Sequence, residues 1–397
     1  MTFLRVPLGD LTTLQAGYGF PVELQGRTSG DLPFAKVGDI SRCGRSGSSE
    51  LNGADHYVDV EELVTLRAKS IPAGSILFAK IGEAIRQNHR VIAAREMLID
   101  NNAMAAIPGE RINGKFLYHF LRTVDFYALA PATTVPALRK SDLEKLAIPL
   151  PALPEQRRIA AILDQADAVR AKRREALAQL DKLAQAIFVE MFGDPASNPK
   201  EWPIVRLVDY IADVTNGITR RGNEAETGND IVLRLRDIRA DAIDFSDLNR
   251  ITLTEKEIDK YCVLPGELLF IRVNGNPDYV GRCALFEGYE EPVYFNDHVM
   301  RVRLKRGLVG GYLAHFLNGP EGKREVAKHR KTSAGQHTIN QGGLGSICLA
   351  LPNEMEQMQF VERIREIRKC EGTLLASLHI TDTLFDSLQH RAFRGEL

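Results

Sequence analysis

Residues that could form a catalytic centre do not occur here with the types and spacing that catalysis needs. The segment Asn276-Pro277-Asp278-Tyr279 differs from the Asn-Pro-Pro-Tyr/Phe motif of amino-methyltransferases, because Asp278 stands where that motif has a second proline. No glycine-rich loop for S-adenosylmethionine precedes it after a strand, so an ordinary Asn-Pro turn is the better interpretation. The nine histidines are dispersed and lack the spacing of a metal site.

Side chains suited to DNA, in contrast, form clusters. Arginine and lysine read guanine or neutralise phosphates, and asparagine and glutamine read adenine. The candidate DNA-binding residues of the first half of the chain are Lys80, Arg86, Gln87, Asn88, Arg90 and Asn101. Those of the second half are Arg234, Arg236, Arg272, Asn274, Asn276, Asn296, Lys328, Arg330, Lys331 and Gln336.

The alternative interpretation of these clusters is a solvated surface, since most charged residues are exposed in any protein. For a single residue that alternative is the stronger one. Recurrence after equivalent strands favours DNA contact, because Lys80 and Arg272 follow matching apolar segments. The basic run 323–331 is the best candidate for phosphate contact.

A long helix is predicted over residues 153–193. Pro154 suits its first turn, and Gly193 and Pro195 end it. Its apolar residues recur in steps of three and four, which is a heptad seam interrupted by Arg170 and Arg173. The seam consists of Ile159, Leu163, Ala166, Leu177, Leu180, Ala184, Ile187 and Met191. Such a narrow seam needs a partner helix.

The predicted partner lies 201 residues further along the chain, at residues 353–397. The openings match, with Leu150-Pro151 and Glu155-Gln156 repeated as Leu351-Pro352 and Glu356-Gln357. The seam reappears as Phe360, Ile364, Ile367, Leu378, Phe385 and Leu388, but Leu180 becomes Thr381. Gly372 weakens the second helix by about 1 kcal/mol relative to alanine.

The segments before the two helices also repeat. The segment Pro33–Ile40 is predicted as a strand that enters a glycine turn, and Leu233–Ile238 stands in its place in the second half. The chain is therefore interpreted as a tandem duplication of an α+β unit and a long helix. The predicted boundaries are 1–152 and 200–352 for the units, and 153–193 and 353–397 for the helices.

Composition limits the classes of protein that remain. Length alone, 397 residues, suggests two or three domains. No apolar run approaches the roughly 20 residues of a membrane span, and no signal peptide is recognised. Five single cysteines without metal or disulfide spacing indicate the reducing cytoplasm. The net charge of −1 requires that DNA binding rest on local clusters or on partners.

These features together resemble the specificity (S) subunits of type I restriction–modification systems. The resemblance rests on the Leu-Pro-x-x-x-Glu-Gln opening of a long helix at 150–156, its repeat at 351–357, and the end Phe393-Arg394-Gly395-Glu396-Leu397. The second opening departs from the family, since Asn353-Glu354-Met355 replaces the usual Pro-Leu.

The resemblance implies two target recognition domains, each of which reads one half of a bipartite, asymmetric site on double-stranded DNA. It implies that the helices form an antiparallel coiled coil that acts as spacer and docking surface. It also implies partners: modification subunits that bind S-adenosylmethionine, and a restriction/translocase subunit that uses ATP and Mg²⁺. No cofactor is expected in this chain.

Two other functions fit parts of the sequence. A self-sufficient DNA methyltransferase or nuclease would need an intact cofactor or nuclease motif, which the sequence lacks. A two-headed coiled-coil scaffold that joins proteins would explain the duplication, but not the clusters of arginine, asparagine and glutamine.

Overall fold

The computed structural model describes residues 3–130, 135–219, 228–333 and 335–397, apart from the side chain of Asp181. It has the mixed α/β fold that the sequence predicts. The chain divides into two compact units. Unit 1 comprises the residues up to Leu177 together with Thr373–Leu397, and unit 2 comprises Ala178–Gly372.

Short strands and helices make up unit 1. Its strands are β1 (Arg5–Pro7), β2 (Thr12–Ala16), β3 (Leu32–Ala35), β4 (Glu50–Leu51), β5 (Tyr57–Val58), β6 (Ile76–Ala79), β7 (Val91–Ala93), β8 (Leu98–Ile99), β9 (Ala103–Pro108) and β10 (Ala147–Pro149). Its helices are α1 (Val37–Arg45), α2 (Glu62–Leu66), α3 (Gly114–Thr123), α4 (Phe126–Leu129), α5 (Lys140–Glu144) and the first part of α6 (Leu153–Phe192).

Three sheets organise unit 1. Strands β2-β9-β6-β7-β4 form the largest, β5-β3-β8 form a second, and the first and last strands, β1 and β10, pair with each other. The strand β6 is buried at every position because both of its faces are covered. The core cluster that includes Phe78 on β6 and Phe116 on α3 also takes in Phe385 and Ala392 from the C-terminal segment.

Unit 2 repeats this order of elements. Its strands are β11 (Ile204–Arg206), β12 (Ile211–Asn216), β13 (Asp230–Leu233), β14 (Arg250–Ile251), β15 (Leu268–Ile271), β16 (Val273–Asn274), β17 (Cys283–Leu285), β18 (Val293–Phe295), β19 (Val299–Leu304), β20 (Lys331–Ser333), β21 (Gln336–Thr338) and β22 (Cys348–Ala350). Its helices are α7 (Leu207–Tyr210), α8 (Glu255–Tyr261), α9 (Gly310–Asn318), α10 (Pro320–His329), α11 (Gln341–Gly345) and α12 (Glu354–Ala392), whose end belongs to unit 1.

The pairing in three sheets of unit 2 corresponds to that of unit 1, whereas the sheet β16-β21-β20 of unit 2 and the strand β4 of unit 1 have no counterpart among the described residues. Strands β12-β19-β15-β17 match β2-β9-β6-β7, β14-β13-β18 match β5-β3-β8, and β11 pairs with β22 as β1 pairs with β10. Each unit has a corresponding parallel pair, β3 with β8 in unit 1 and β13 with β18 in unit 2. A second parallel pair, β4 with β7, occurs in unit 1.

The predicted strand Pro33–Ile40 is wrong in its second half. The strand β3 ends at Ala35 and α1 begins at Val37, because the carboxylate of Asp39 accepts a hydrogen bond from the Lys36 amide at 2.8 Å. In unit 2 the Asp237 carboxylate accepts one from the Arg234 amide at 2.7 Å, which starts a 3-10 turn after β13. Both segments are therefore strand–cap–helix junctions and not strands that run into a glycine turn.

A buried glutamine fixes the start of each long helix. The Gln156 amide donates to the carbonyls of Arg111 and Pro151 at 3.1 and 2.9 Å, and its oxygen accepts from the Asn113 amide at 2.7 Å. We call this three-bond arrangement the glutamine clamp. It ties the first turn of α6 to the loop before α3.

The same clamp recurs at Gln357 in unit 2. This side chain donates to the carbonyls of Gly307 and Pro352 at 3.0 and 2.8 Å, and accepts from the Val309 amide at 2.8 Å. Both glutamines are buried, with exposed fractions of 1% and 0%. The Glu-Gln repeat of the sequence is thus a repeat of backbone contacts.

Within each unit, the seam residues of α6 and α12 enter the core. Ile159 and Leu163 are fully buried in unit 1, in the cluster that contains Phe385. Phe188 and Phe192 pack on Phe360 in unit 2, with ring centroids 5.4 Å apart in both cases. The predicted seam positions Ile159, Leu163 and Phe360 are therefore confirmed as core residues, whereas the buried Phe188 was not among the predicted positions and its neighbour Ile187 is only partly buried.

The two exceptions to the seam lie opposite polar groups in unit 1. Arg173 donates to the Ser377 carbonyl at 2.7 Å and to the Thr381 hydroxyl at 2.8 Å. Arg170 forms an ion pair with Asp382 at 2.5 Å. The arginines that interrupt the first seam thus account for the threonine that interrupts the second.

Gly372 provides a test of helix propensity. It lies inside α12, and a Cβ atom added there would meet nothing within 4 Å. We therefore expect Gly372→Ala to raise the free energy of unfolding by about 0.5–1 kcal/mol, measured by denaturant titration. Gly322→Ala in α10 is the contrasting variant, because its Cβ would lie 2.2 Å from the Phe316 oxygen and should destabilise the protein. Destabilisation by Gly372→Ala would contradict this account.

The glutamine clamp predicts a larger effect. Gln156→Ala removes three hydrogen bonds and leaves two carbonyls and one amide without their partner in a buried site. We expect a loss of about 2–3 kcal/mol in the free energy of unfolding. Gln165→Ala, an exposed position of the same helix, is the matched control and should change stability by less than about 0.5 kcal/mol. Equal effects of the two variants would show that the clamp does not hold the helix.

Candidate nucleic-acid interface

A small polar sheet in unit 2 brings together several of the candidate DNA-binding residues. Strand β21 pairs with β20 on one side and with β16 on the other, in the order β16-β21-β20. Lys331 and Gln336 are exposed on the β20–β21 hairpin, and Asn274 lies on β16. Gly335 in the hairpin turn has a φ of +75°, which favours glycine. Ala334, the other turn residue, lies outside the described residues.

The turn beside this sheet holds two more candidates. The Asn276 side chain accepts from the Asp278 amide at 3.0 Å, and the Asn274 side chain accepts from the Asn276 amide at 2.8 Å. Arg330 donates to the Pro277 carbonyl at 2.8 Å, which joins the end of α10 to this turn. Each amide nitrogen of the two asparagines remains available as a donor. Arg330 has at least part of its guanidinium engaged in holding the turn.

Arg272 and Lys80 occupy equivalent backbone positions, as the sequence predicts. The Arg272 amide donates to the His298 carbonyl and its own carbonyl accepts from Ile339, both at 2.9 Å. The Lys80 amide donates to the Asn102 carbonyl and its carbonyl accepts from Leu138, both at 2.8 Å. The same backbone position therefore carries lysine in one unit and arginine in the other.

In unit 1, the run Arg86–Arg90 divides into exposed and buried members. Arg86 is exposed, stacks on Tyr127 at 4.2 Å and donates to its hydroxyl at 2.6 Å. Gln87 is exposed. Asn88 has a φ of +53°, donates to the Val124 carbonyl and accepts from Arg90. Arg90 is only 4% exposed and stacks on Phe126 at 3.5 Å.

The remaining candidates are distributed over both units. Asn101 is an exposed turn residue, and Asn296 is half-buried beside the parallel strands β13 and β18. Arg234 and Arg236 are engaged with Asp247, and Lys328 forms an ion pair with Glu325 that raises the pKa of the lysine. These side chains remain candidates, but several already hold a carboxylate or carbonyl that DNA would have to replace.

The hairpin also presents polar groups that the candidate set leaves out. Thr332 is exposed, and its hydroxyl lies 2.8 Å from Nδ1 of His337 on the facing strand. Gly335 between two short polar segments is the signal in the sequence that indicates a turn here. The candidate interface of unit 2 is thus a ribbon with charged and hydrogen-bonding groups on successive residues.

Two kinds of site are not found in the described part of the chain. Its histidine, cysteine and acidic residues include no group of three or more placed to hold a metal ion. Within the same ranges, no helix combines the length and the apolar character that crossing a membrane requires.

Comparison with known proteins finds similarity to one family. Residues 3–180 match the family model described as the type I restriction modification DNA specificity domain. The StySPI specificity subunit of Salmonella potsdam is 28% identical over 312 residues, which cover 73% of this chain and 67% of that protein. The EcoKI specificity subunit of Escherichia coli K12 is 25% identical over 311 residues, with the same coverage of both chains.

Solved structures share the fold at low sequence identity. The type I restriction-modification S subunit of M. genitalium superposes with a TM-score of 0.60 at 14% identity, over 99% of this chain and 96% of that one. A chain from a study of complex assembly and conformational transition of the type I R-M system gives 0.54 at 18% identity, over 100% and 98%.

Two residues of the β20–β21 hairpin, which we call the polar hairpin, are expected to have separable effects on DNA binding. Lys331→Ala should weaken binding to all sequences alike and reduce the slope of log affinity against log salt by about 1, because a phosphate contact is lost. Gln336→Ala should instead change the preferred sequence. Both are measured by fluorescence anisotropy with a panel of duplexes at several salt concentrations.

Lys256→Ala, an exposed lysine on α8, is the control and should leave both quantities unchanged. A changed sequence preference with an unchanged salt slope for Lys331→Ala would place this lysine on a base edge.

Proposed function

We propose that this chain belongs to the family of type I restriction–modification specificity subunits and is the non-catalytic subunit that reads the DNA sequence for its complex. The match of residues 3–180 to the specificity domain of that family carries the proposal. The relatives that align over most of the chain are themselves named specificity subunits.

Each unit acts as one target recognition domain and reads one half of a bipartite, asymmetric DNA site. This proposal is supported by a backbone arrangement that both units share and by side chains that differ between them. The backbone bonds around Lys80 and Arg272 are the same, yet the residues that follow them along the chain differ. Two readers that share a backbone arrangement and differ in polar side chains would recognise two different half-sites. The domain boundaries 1–152 and 200–352 are part of this proposal.

The two long helices set the spacing between the half-sites as an antiparallel coiled coil. Support comes from each unit taken separately. In unit 1, Arg158 donates to Leu397 at 2.9 Å and Arg173 donates to Thr381, so the residue numbers run in opposite directions. In unit 2, the end of α6 packs on the beginning of α12 through Phe188 and Phe360. A rigid pair of this kind would fix the distance between two readers.

The modification subunits dock on these helices. Three large apolar side chains on α12, Leu375, Ile380 and Leu384, are exposed by 56%, 67% and 52%. Ile380 and Leu384 are four residues apart and are therefore neighbours on one face of the helix, where a docked subunit would cover them. The modification subunits supply S-adenosylmethionine, and a restriction/translocase subunit supplies ATP and Mg²⁺ in the cytoplasm. This chain itself binds no cofactor.

The alternative functions are less well supported. A self-sufficient methyltransferase would need a cofactor loop, and the relatives of this chain are specificity subunits. A protein scaffold with two heads leaves the polar hairpin of unit 2 without a role.

Exchange of one unit tests the proposal. Residues 202–350 are replaced by the equivalent region of a relative, and the modified motif is determined by methylome sequencing in a host that also carries the modification subunit. We expect one half-site to change while the other half-site and the spacer stay the same, because residues 3–149 and both helices are retained. The reciprocal exchange of residues 3–149 is the control and should change the other half-site.

Simultaneous change of both half-sites, or a change of spacer length, would contradict the assignment of one reader to each unit. Normal methylation of the original motif by the exchanged protein would contradict the reading role itself.

A further inference from the structure

Unit 1 contains a cleft whose wall is strongly basic. It has a volume of about 440 Å³ and lies between the loop after α1, the residues that precede β7, the helix α3 and the first part of α6. Five arginines line it: Arg45, Arg90, Arg122, Arg170 and Arg174. Asp167 is the acidic residue in the same lining. The arginines come from four separate segments of the chain, so their convergence is a product of the fold.

Three of the arginines share two carboxylates within unit 1. Arg122 and Arg170 both pair with Asp167, at 2.5 and 2.8 Å. Arg170 also pairs with Asp382 at 2.5 Å, and Arg174 pairs with the same carboxylate at 3.1 Å. Two carboxylates therefore serve three guanidinium groups, and Arg45 and Arg90 add two further charges. The cleft has a surplus of three positive charges.

Arg90 is the most unusual of these charges because it is buried. Its guanidinium donates to the His89 carbonyl, the Asn88 side chain and the Val124 carbonyl, all neutral oxygens. Its Nε is buried and has no hydrogen-bond partner among the described residues. Asp125 acts on Arg90 only through its charge, with no ion pair to it among the described contacts, and a buried cation that lacks a directly bonded anion is costly.

The protonation behaviour of the neighbours agrees with an uncompensated positive field. Burial lowers the pKa of Arg90 to about 9; the negative charge of Asp125 raises that pKa, and the positive charge of Arg122 lowers it. The pKa of His89 is also lowered, first by burial and then by the positive charges of Arg45 and Arg90. Both groups would be stabilised in their charged forms by an anion in the cleft.

We propose that this arginine cleft binds a phosphoanion that carries at least two negative charges. Guanidinium groups form paired, charge-assisted hydrogen bonds to phosphate oxygens, and convergent arginines are the usual means of holding phosphate in proteins. The volume accommodates more than one phosphate group. The ligand is either a free di- or oligophosphate or two neighbouring phosphates of a nucleic acid backbone. The proposal does not depend on the role of the chain in sequence reading.

The test uses the full chain with inorganic pyrophosphate and with inorganic phosphate as probes, and measures binding by isothermal titration calorimetry. We expect pyrophosphate to bind more tightly than phosphate and to raise the melting temperature. The double variant Arg45→Ala/Arg174→Ala removes two cations at the exposed rim of the cleft and should weaken pyrophosphate binding at least about tenfold. Both side chains are exposed, so the variant is expected to fold, and circular dichroism verifies this.

Arg111→Ala is the matched control, since Arg111 is an exposed arginine of unit 1 that does not line the cleft. It should leave pyrophosphate binding unchanged. If Arg111→Ala weakened binding as much as the double variant, the effect would come from general surface charge and the proposal would be overturned.

A second arm identifies the source of the phosphate. If the unmodified chain does not bind pyrophosphate, its binding to duplex DNA of unrelated sequences is measured against salt. A salt slope reduced by about one to two in the double variant, and not in Arg111→Ala, would assign the cleft to the DNA backbone. Absence of both pyrophosphate binding and this change in slope overturns the proposal. Failure of the sequence-reading role would appear separately, as an unchanged methylation motif after unit exchange.

Discussion

The buried glutamine clamp is the contact on which the arrangement of each unit depends. A long helix with a narrow apolar seam could attach to a small α/β unit at many angles, since apolar packing has little directionality. Three hydrogen bonds from one buried amide group remove this freedom, because each bond has a preferred distance and angle. Gln156 and Gln357 direct these bonds to the loop before α3 or α9 and to the proline carbonyl at the start of the helix. The register of the seam follows from that anchoring.

The polar groups inside the seam fix the register of the two helices, whereas the apolar residues of the seam stabilise their packing. Arg173 contacts Thr381 and Ser377, and Arg170 contacts Asp382, in the part of the seam that lies in unit 1. A helix shifted by one turn would separate Arg170 from Asp382 and would break the present contacts of Arg173. Such buried or half-buried polar contacts are known to fix the register of paired helices at some expense of stability.

The features that depend on local periodicity could be predicted from the sequence. The prediction failed where a capping side chain starts a helix in a segment whose residues favour a strand. The extent of α6 and the buried positions Ile159 and Leu163 follow from spacing alone. The segment after β3 was predicted as strand because Val37 and Ile40 favour it, but the Asp39 cap starts a helix there. The candidate DNA contacts were found by residue type, which cannot separate an exposed Gln87 from a buried Arg90. The arginine cleft was not predictable, because Arg45 and Arg174 meet only after folding.

The division of the chain between the two units has a consequence for the order in which the protein can fold during synthesis. The core of unit 1 includes Phe385 and Ala392, so this core stays incomplete until these two residues have left the ribosome. The described core of unit 2 ends at Ile367, and β22 needs only β11 to close its sheet. Unit 2, although most of it is synthesised later, can therefore complete its folding before unit 1. Until then the apolar core surface of unit 1 is exposed. A nascent chain of this design relies on chaperones or on slow, reversible collapse to keep β6 and α3 from aggregating.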